Sequence, residues 1–292
     1  MTRFNQIPAQ TRGILLMLMA IFAFTVLDLT AKTLTMRVGV MQTLWARYAG
    51  QTLLVFLIIL PKLKTRLHTA YPKLQILRAL FMLGATTFFF TGLTHLGLAE
   101  ITAIMDISPV LITLGAALFL GERFGARRAF GVLAALIGAM IIIRPGSGVL
   151  SLYALLPVAA AICYSGFALA TRFVGHGENV WTSLFYGAAL GGVIFTLIIP
   201  FYWQTPDTTA ILLMITVGLI STLPHFLLIP SLTLAEASVV APFGYVGLLF
   251  ATLWGMIFFD AYPDAYTYLG AAIIVAAGVY VWHRENRKRS GE

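Results

Sequence analysis

Ten apolar runs of membrane-spanning length, separated by short connectors, constrain this chain more than any other feature of its sequence. About 20 apolar residues in a helix cross the hydrocarbon core of a bilayer. The connectors contain turn-forming Pro, Gly and Asp residues, and none is long enough for a domain outside the membrane. We predict ten transmembrane helices over residues 13–32, 40–60, 75–95, 98–119, 126–144, 151–173, 179–200, 209–231, 236–258 and 266–283.

The composition favours lipid over water as the solvent of this fold. The 292 residues are 60% hydrophobic and only 10% charged, whereas soluble domains carry about 25% charged residues. A water-soluble fold could not cover its surface with so few charges, but helices that face lipid need almost none. We therefore predict an all-α integral membrane protein with the lipid bilayer as its partner. The net charge of +8 does not indicate nucleic-acid binding, because the basic residues lie mainly in the connectors.

The positions of Lys and Arg predict the topology. With the N-terminus inside, fifteen of the nineteen basic residues fall on the cytoplasmic side, Arg78 and Arg172 among them, and three fall opposite. Cytoplasmic connectors carry such an excess in membrane proteins. We predict a multi-pass protein of the cell inner (plasma) membrane with both termini cytoplasmic. We expect the first apolar run to be a span, not a signal peptide, because Asp28 interrupts it.

An internal repeat divides the chain. Leu98-Ala99-Glu100 opens an apolar helix that ends at Gly121-Glu122, and Leu234-Ala235-Glu236 opens a similar helix that ends at Phe259-Asp260. Arg residues follow only the first helix, so equivalent hairpins should face opposite sides. Inverted halves around a central site are a transporter architecture that works by alternating access. We predict two inverted five-helix repeats that form one membrane domain, over residues 1–145 and 146–292.

These segments resemble a known family. The stretch 235–243, running on to Asp260 and Pro263-Asp264, resembles the second-half signature of EamA-type proteins of the drug/metabolite transporter superfamily. Residues 98–122 resemble the matching first-half segment, and residues 22–32 and 45–48 are similar to the first two helices of the family. The resemblance covers essentially the whole chain. It implies a ten-helix carrier, most similar to amino-acid exporters and to S-adenosylmethionine-type carriers.

The motifs of common enzymes are missing from the sequence. There is no H-E-x-x-H, Walker A or G-x-S-x-G motif and no cysteine pair, since Cys163 is the single cysteine. We predict a transporter that is not an enzyme, needs no cofactor or metal, and draws its energy from a gradient. The predicted activity is export of amino acids, aromatic ones included, or of related small-molecule metabolites. A multidrug or organic-cation exporter and an S-adenosylmethionine-type carrier are the alternatives. We expect a monomer or a homodimer.

Asp28 and Arg47 are ionisable residues inside the first two apolar runs. Such residues cost roughly 2.5–3.5 kcal/mol each at membrane depth, so each needs a partner or a role. Asp28 could contact a cationic group of the substrate or carry a proton. Arg47 could bind a substrate carboxylate with two hydrogen bonds. The alternative is a structural ion pair of Asp28 with Lys32 or Arg47.

Asp106 and His225 are the other two ionisable residues within apolar runs that we single out. Pro109 follows Asp106 closely and can kink the helix, which favours a place in a cavity wall. The alternative for Asp106 is a hydrogen bond between helices. His225 could relay a proton, or it could be a neutral residue bonded to a neighbouring helix.

Other residues complete the predicted substrate cavity by resemblance and helical spacing. An apolar, aromatic cavity with few polar groups suits small organic solutes. The alternative for each aromatic residue is ordinary packing. Glu100 and Glu236 are expected to cap helices, and Gly187 and Gly191 to allow close helix packing. The further cavity residues are Phe24, Phe81, Phe88, Met105, Tyr164, Phe167, Ser238, Phe243 and Tyr245.

Overall fold

The computed structural model describes residues 7–122, 125–143, 153, 155–259, 265–266, 268–270, 272–273, 276–277 and 280. Both termini, the connector at 144–154 apart from residue 153, the acidic turn at 260–264 and much of the tenth predicted span lie outside them.

The described residues form twelve α-helices and four short 3-10 helices. Six helical stretches within them are long and apolar enough to cross a membrane, and the first of these, Ala9–Leu67, covers two predicted spans. The predicted total of ten transmembrane helices stays a prediction. The α-helices are α1 (Ala9–Ile59), α2 (Leu63–Leu67), α3 (Pro72–Gly92), α4 (Leu98–Met105), α5 (Ser108–Phe119), α6 (Ala126–Ile143), α7 (Leu155–Val174), α8 (Val180–Ile198), α9 (Thr208–Ile220), α10 (Thr222–Leu234), α11 (Ala237–Val240) and α12 (Val246–Phe259).

Helix α1 is bent at Gly39 into two arms. Gly39 has φ 76° and ψ 171°, which is outside the helical region and is readily adopted only by glycine. The Thr35 hydroxyl donates to the Thr43 hydroxyl at 3.2 Å across the bend. The arms, residues 9–38 and 40–59, therefore correspond to the first two predicted spans. Asp28 lies on the first arm and Arg47 on the second.

Two helices are interrupted at corresponding positions of the repeat. The first is broken at residues 106–107, between α4 and α5. The second contains the 3-10 segment Ala241–Tyr245 between α11 and α12. Pro109 and Pro242 each lie in the first two positions of the segment at the break, where the missing amide hydrogen is tolerated. Interrupted helices in equivalent positions of two halves are the best pointer to a transporter's binding site.

The two interruptions contact each other, and glycines allow similar close approaches elsewhere. A Cβ atom at Gly244 would lie 3.2 Å from Cγ of Pro109. A Cβ at Gly50 would lie 2.6 Å from Cα of Gly218, so the backbones of α1 and α9 touch. Such small-residue contacts allow membrane helices to pack closely.

The predicted glycine pair of α8 has two different surroundings. A Cβ at Gly191 would meet the ring of Tyr48 at 2.5 Å, whereas a Cβ at Gly187 would meet nothing within 4 Å. Gly191 therefore packs tightly as predicted, and Gly187 faces open space.

Candidate functional site

A cavity of about 150 Å³ lies where the interrupted helices meet both arms of α1 and the middle of α3. Its wall is mostly apolar and aromatic, with three charged side chains. The lining residues are Met17, Ile21, Phe24, Thr25, Asp28, Arg47, Met82, Ala85, Thr86, Phe89, Phe90, Thr102, Met105, Asp106, Ser108, Pro109, Ile112, Tyr164, Ala241, Gly244 and Gly247.

Arg47 is the cation of this cavity, and only 3% of it is exposed. Its guanidinium carbon lies 5.2 Å from the ring centroid of Tyr48 and 5.4 Å from that of Phe90. These rings attract the positive charge through their negative faces. The Nε atom is buried and has no hydrogen-bond partner. The rings thus hold the guanidinium without using its hydrogen-bond donors.

Asp28 faces the same cavity from the first arm of α1. Its charge and that of Arg47 are close enough to attract each other. Among the residues that the structure describes, however, neither Arg47 nor Lys32 forms an ion pair with it. The structural ion pair is therefore not formed in this conformation. The acid and the base share a cavity and stay separated.

Asp106 is the third charged residue and sits in the first helix interruption. It is 5% exposed, and its Oδ2 atom is buried without a hydrogen-bond partner. The helix-to-helix hydrogen bond that was the alternative role is not made by this atom. A buried polar group without a partner costs about 1–3 kcal/mol, so it calls for an explanation such as a ligand, ion or water.

The threonine hydroxyls of the cavity are already satisfied by their own helices. Thr86 donates to the carbonyl oxygen of Met82 at 2.9 Å, and Thr102 donates to that of Leu98 at 2.7 Å. Unused hydrogen-bonding capacity remains on the charged residues Arg47 and Asp106. The cavity can hold a solute with charged ends and an apolar or aromatic body.

The structure brings six of the thirteen predicted cavity residues to this wall. Two others, Phe167 and His225, line a smaller neighbouring cavity instead. The Nδ1 atom of His225 lies 3.0 Å from the carbonyl oxygen of Ser221 in the adjoining turn, so it bonds locally and not to a neighbouring helix. The six residues on the wall are Phe24, Asp28, Arg47, Met105, Asp106 and Tyr164.

Five predicted cavity residues lie elsewhere in this conformation. Phe81 packs against Gly166, and Phe88 is 37% exposed on the outside of the bundle. Phe243 is buried in the core, and the Tyr245 hydroxyl donates to the carbonyl oxygen of Val132 at 3.4 Å. Ser238 belongs to a polar contact at one end of the bundle. These helices are apolar all round, so sequence alone does not tell which side faces the cavity.

The aromatic wall of α3 consists of residues that were not predicted. Phe89 and Phe90 line the cavity, whereas the adjacent Phe88 does not. Three consecutive phenylalanines on a helix point in three directions about 100° apart. The sequence shows the run of three phenylalanines at 88–90, but it does not show which of the rings faces the cavity.

A polar contact that we name the end tie joins the two halves of the chain. The carboxylate of Glu122 accepts hydrogen bonds from the Ala237 amide at 3.0 Å, and from the amide and hydroxyl of Ser238 at 3.0 and 2.6 Å. It also accepts one from Nε of Arg172 at 3.2 Å. The expected capping residue, Glu236, makes no capping hydrogen bond to α11. Glu122 of the other half caps this helix instead.

Arg172 extends the end tie to the end of α10. Its Nη1 atom donates to the carbonyl oxygens of Leu232 and Thr233 at 3.2 and 2.9 Å. These carbonyls lie in the last turn of the helix, where cations are favoured. The end tie therefore connects α5, α7, α10 and α11.

The surroundings of Glu122 favour its ionised form. Partial burial alone would raise the pKa of its carboxyl, but the hydrogen bonds from Ser238 and Ala237 and the charge of Arg172 outweigh that effect. The pKa of Glu122 is therefore held below its ordinary value. The end tie is charged at neutral pH.

Comparison with known proteins defines the class. Residues 11–144 and 151–282 each match the EamA-like transporter family. A riboflavin transporter of Rhizobium johnstonii is 31% identical over 94% of this chain and 92% of its own length. A pseudopaline exporter of Pseudomonas aeruginosa is 27% identical, covering 91% and 94% of the two chains. An S-adenosylmethionine uptake transporter of Rickettsia felis is 24% identical, covering 95% of both chains.

The chain is thus a multi-pass membrane transporter for small molecules. It belongs to the EamA-like transporter family, within the drug/metabolite transporter superfamily, and carries the two repeats of that family. The predicted family is confirmed. None of these three relatives is named an amino-acid exporter, so that finer assignment stays a prediction.

Proposed function

We propose that this protein exports small zwitterionic metabolites, namely amino acids with aromatic side chains or related compounds, across the cell inner membrane by alternating access. The observation that carries the proposal is the separation of Asp28 and Arg47 within one cavity. An ammonium group fits the carboxylate of Asp28, and a carboxylate fits the guanidinium of Arg47. Phe89 and Phe90 supply an aromatic wall for the body of the solute.

The relatives support a solute of this kind without identifying it. S-adenosylmethionine carries an amino-acid head group, and riboflavin carries a planar aromatic ring system. The direction of transport differs among the relatives, since one is named an exporter and another an uptake transporter. Export, the inverted repeats, the cytoplasmic termini and the domain division at residues 145–146 remain parts of the proposal.

A counterflow assay with three matched probes tests the proposal. Liposomes that contain the purified protein are loaded with unlabelled L-phenylalanine. Labelled L-phenylalanine, phenylethylamine or 3-phenylpropionate is then added outside. The probes share an aromatic body, but the second lacks the carboxylate and the third lacks the ammonium group. We expect saturable exchange of L-phenylalanine and about tenfold weaker exchange of the other two, since each loses a charge-assisted hydrogen bond.

Substitutions test which residue recognises each charged group of the probes. Arg47→Met should remove the preference for L-phenylalanine over phenylethylamine, and Asp28→Asn should remove the preference over 3-phenylpropionate. Riboflavin and S-adenosylmethionine complete the panel because relatives are named for them. Flux of L-phenylalanine that does not saturate, or that ignores both substitutions, would refute the proposal. Repeating the assay with a pH gradient shows whether protons are coupled.

A second candidate function is the export of organic cations. Asp106 favours it, because it adds a second acid to an aromatic cavity and its Oδ2 atom has no partner. In that case phenylethylamine should exchange faster than L-phenylalanine, and Arg47→Met should increase its flux by removing a repelling charge.

A further inference from the structure

Three cavities lie in series through the described part of the bundle. The central cavity shares Met82 with a smaller one of about 10 Å³. The smaller one shares Ser183 and Ile229 with a third of about 230 Å³, which reaches Glu178 at the junction of α7 and α8. The middle cavity has room for about one water molecule. It is the narrow segment of a path from the central cavity to the end of the bundle where α7 ends.

Arg78 forms part of the wall of this middle cavity and is 1% exposed. Its Nε atom donates to the hydroxyl of Thr171 at 2.9 Å, and its Nη1 atom donates to Oε1 of Gln75 at 2.6 Å. Its guanidinium carbon lies 5.3 Å from the ring centroid of Phe167. The third nitrogen, Nη2, is buried and has no hydrogen-bond partner. A fixed guanidinium with one unused donor group therefore faces the path.

No described carboxylate forms an ion pair with Arg78. Gln75 stands between Arg78 and Glu178, because its Nε2 atom lies 3.4 Å from Oε2 of Glu178 and 3.3 Å from the hydroxyl of Ser183. A buried cation inside a membrane protein is costly unless a partner or a function retains it. The topology prediction counted Arg78 on the cytoplasmic side, near the start of the predicted span 75–95, and the structure places it in α3, two turns inside the helix.

We propose that Arg78 is a second, transient binding site that recognises the carboxylate of a solute between the central cavity and this end of the bundle. The inference rests on the proposed function, which supplies a solute with a carboxylate. A guanidinium with a free donor suits a planar oxyanion better than an ammonium would. The site is distinct from Arg47, which lies in the central cavity. It is occupied only when the layer of side chains around the middle cavity separates.

Charge-selective labelling tests the site without any transported solute. Gly187 lines the middle cavity, and a Cβ there meets nothing within 4 Å. Gly187→Cys is made in a Cys163→Ala background, which removes the single native cysteine. The purified protein reacts in detergent with an anionic sulfonatoethyl methanethiosulfonate or with its cationic trimethylammonium counterpart. Each rate is divided by the rate of the same reagent with glutathione.

We expect the anionic reagent to react about tenfold faster than the cationic one, because the field of Arg78 concentrates anions in the cavity. Arg78→Met should reduce this ratio to about one, whereas Arg78→Lys, which retains the charge, should preserve it. Arg47→Met should reduce the ratio less than Arg78→Met does, because the Arg47 guanidinium lies 5.2 Å from the ring of Tyr48, a residue of the middle cavity wall, whereas Arg78 is itself part of that wall.

Three results would overturn the inference: no labelling by either reagent, equal rates with Arg78 present, or a ratio that Arg78→Met does not change. The outcome is separable from that of the proposed function. A protein that labels selectively but exchanges none of the probes retains the anion site and loses the proposed substrate. A protein that exchanges L-phenylalanine but labels without selectivity retains the function and loses the second site.

Discussion

Replacing Glu122 by Gln tests whether the end tie holds the two halves together. The carboxylate accepts four hydrogen bonds, two on each oxygen. Glutamine keeps one acceptor oxygen and presents an amide group to donors on its other side. Two unsatisfied donors at about 1 kcal/mol each and a lost ion pair of up to about 1 kcal/mol give a loss of about 2–3 kcal/mol.

The loss is measured as a change in apparent melting temperature of the purified protein, followed by tryptophan fluorescence. At about 2 °C per kcal/mol for a chain of this size, we expect a decrease of about 4–6 °C. Lys64→Gln is the control, because Lys64 is an exposed charged residue of α2 that takes no part in the end tie. Its melting temperature should change by about 1 °C or less.

The second measurement is the labelling rate of Gly187→Cys, which reports how often this end of the bundle opens. Breaking contacts worth about 2 kcal/mol shifts a two-state equilibrium about 30-fold, so Glu122→Gln should increase the labelling rate of Gly187→Cys by up to that factor. Equal melting temperatures for Glu122→Gln and Lys64→Gln, together with an unchanged labelling rate, would refute the role of the end tie.

Three further predictions concern single contacts. Ser238→Ala should destabilise the protein by about 1–2 kcal/mol and raise the pKa of Glu122. Because that pKa is lowered in the folded protein, its stabilisation is present above the ordinary glutamate value and is lost as the pH falls through the folded value. Melting curves between about pH 3 and 7 should therefore show the acid-induced loss at a higher pH in the variant than in the natural protein. Gly191→Ala should lower the melting temperature by about 2–6 °C through overlap with a tyrosine ring, whereas Gly187→Ala should leave it unchanged. Asp106→Asn should reduce counterflow about tenfold or more while detergent-extracted protein stays monodisperse, and unchanged counterflow would show that Asp106 is structural.

The longer apolar helices and the charges of the central cavity were predictable because lipid imposes strong rules on both. Helix ends such as those of α8 lie within two residues of the prediction, since apolar length is set by the bilayer. Asp28, Arg47 and Asp106 stand out in apolar runs because a charge at membrane depth is costly unless it has a partner or a function. The helix break beside Asp106 was also visible, through Pro109.

Side-chain direction was not predictable from the same rules. A membrane helix can be apolar on its lipid face and on its packed face, so Phe81 and Phe88 could not be separated from the inward rings Phe89 and Phe90. Charged residues near helix ends were also ambiguous. Arg78 and Glu122 could have faced water, and only the three-dimensional packing shows one in a buried layer and the other capping a helix of the opposite half.

The contact between Pro109 and Gly244 makes the two helix interruptions mechanically dependent on each other. A solute that displaces the first interruption pushes directly on the second, with no flexible linker between them to absorb the movement. One bound molecule can therefore bias both halves at once. A bulky side chain at position 244 would press on Pro109 permanently and so displace the first interruption without a bound solute.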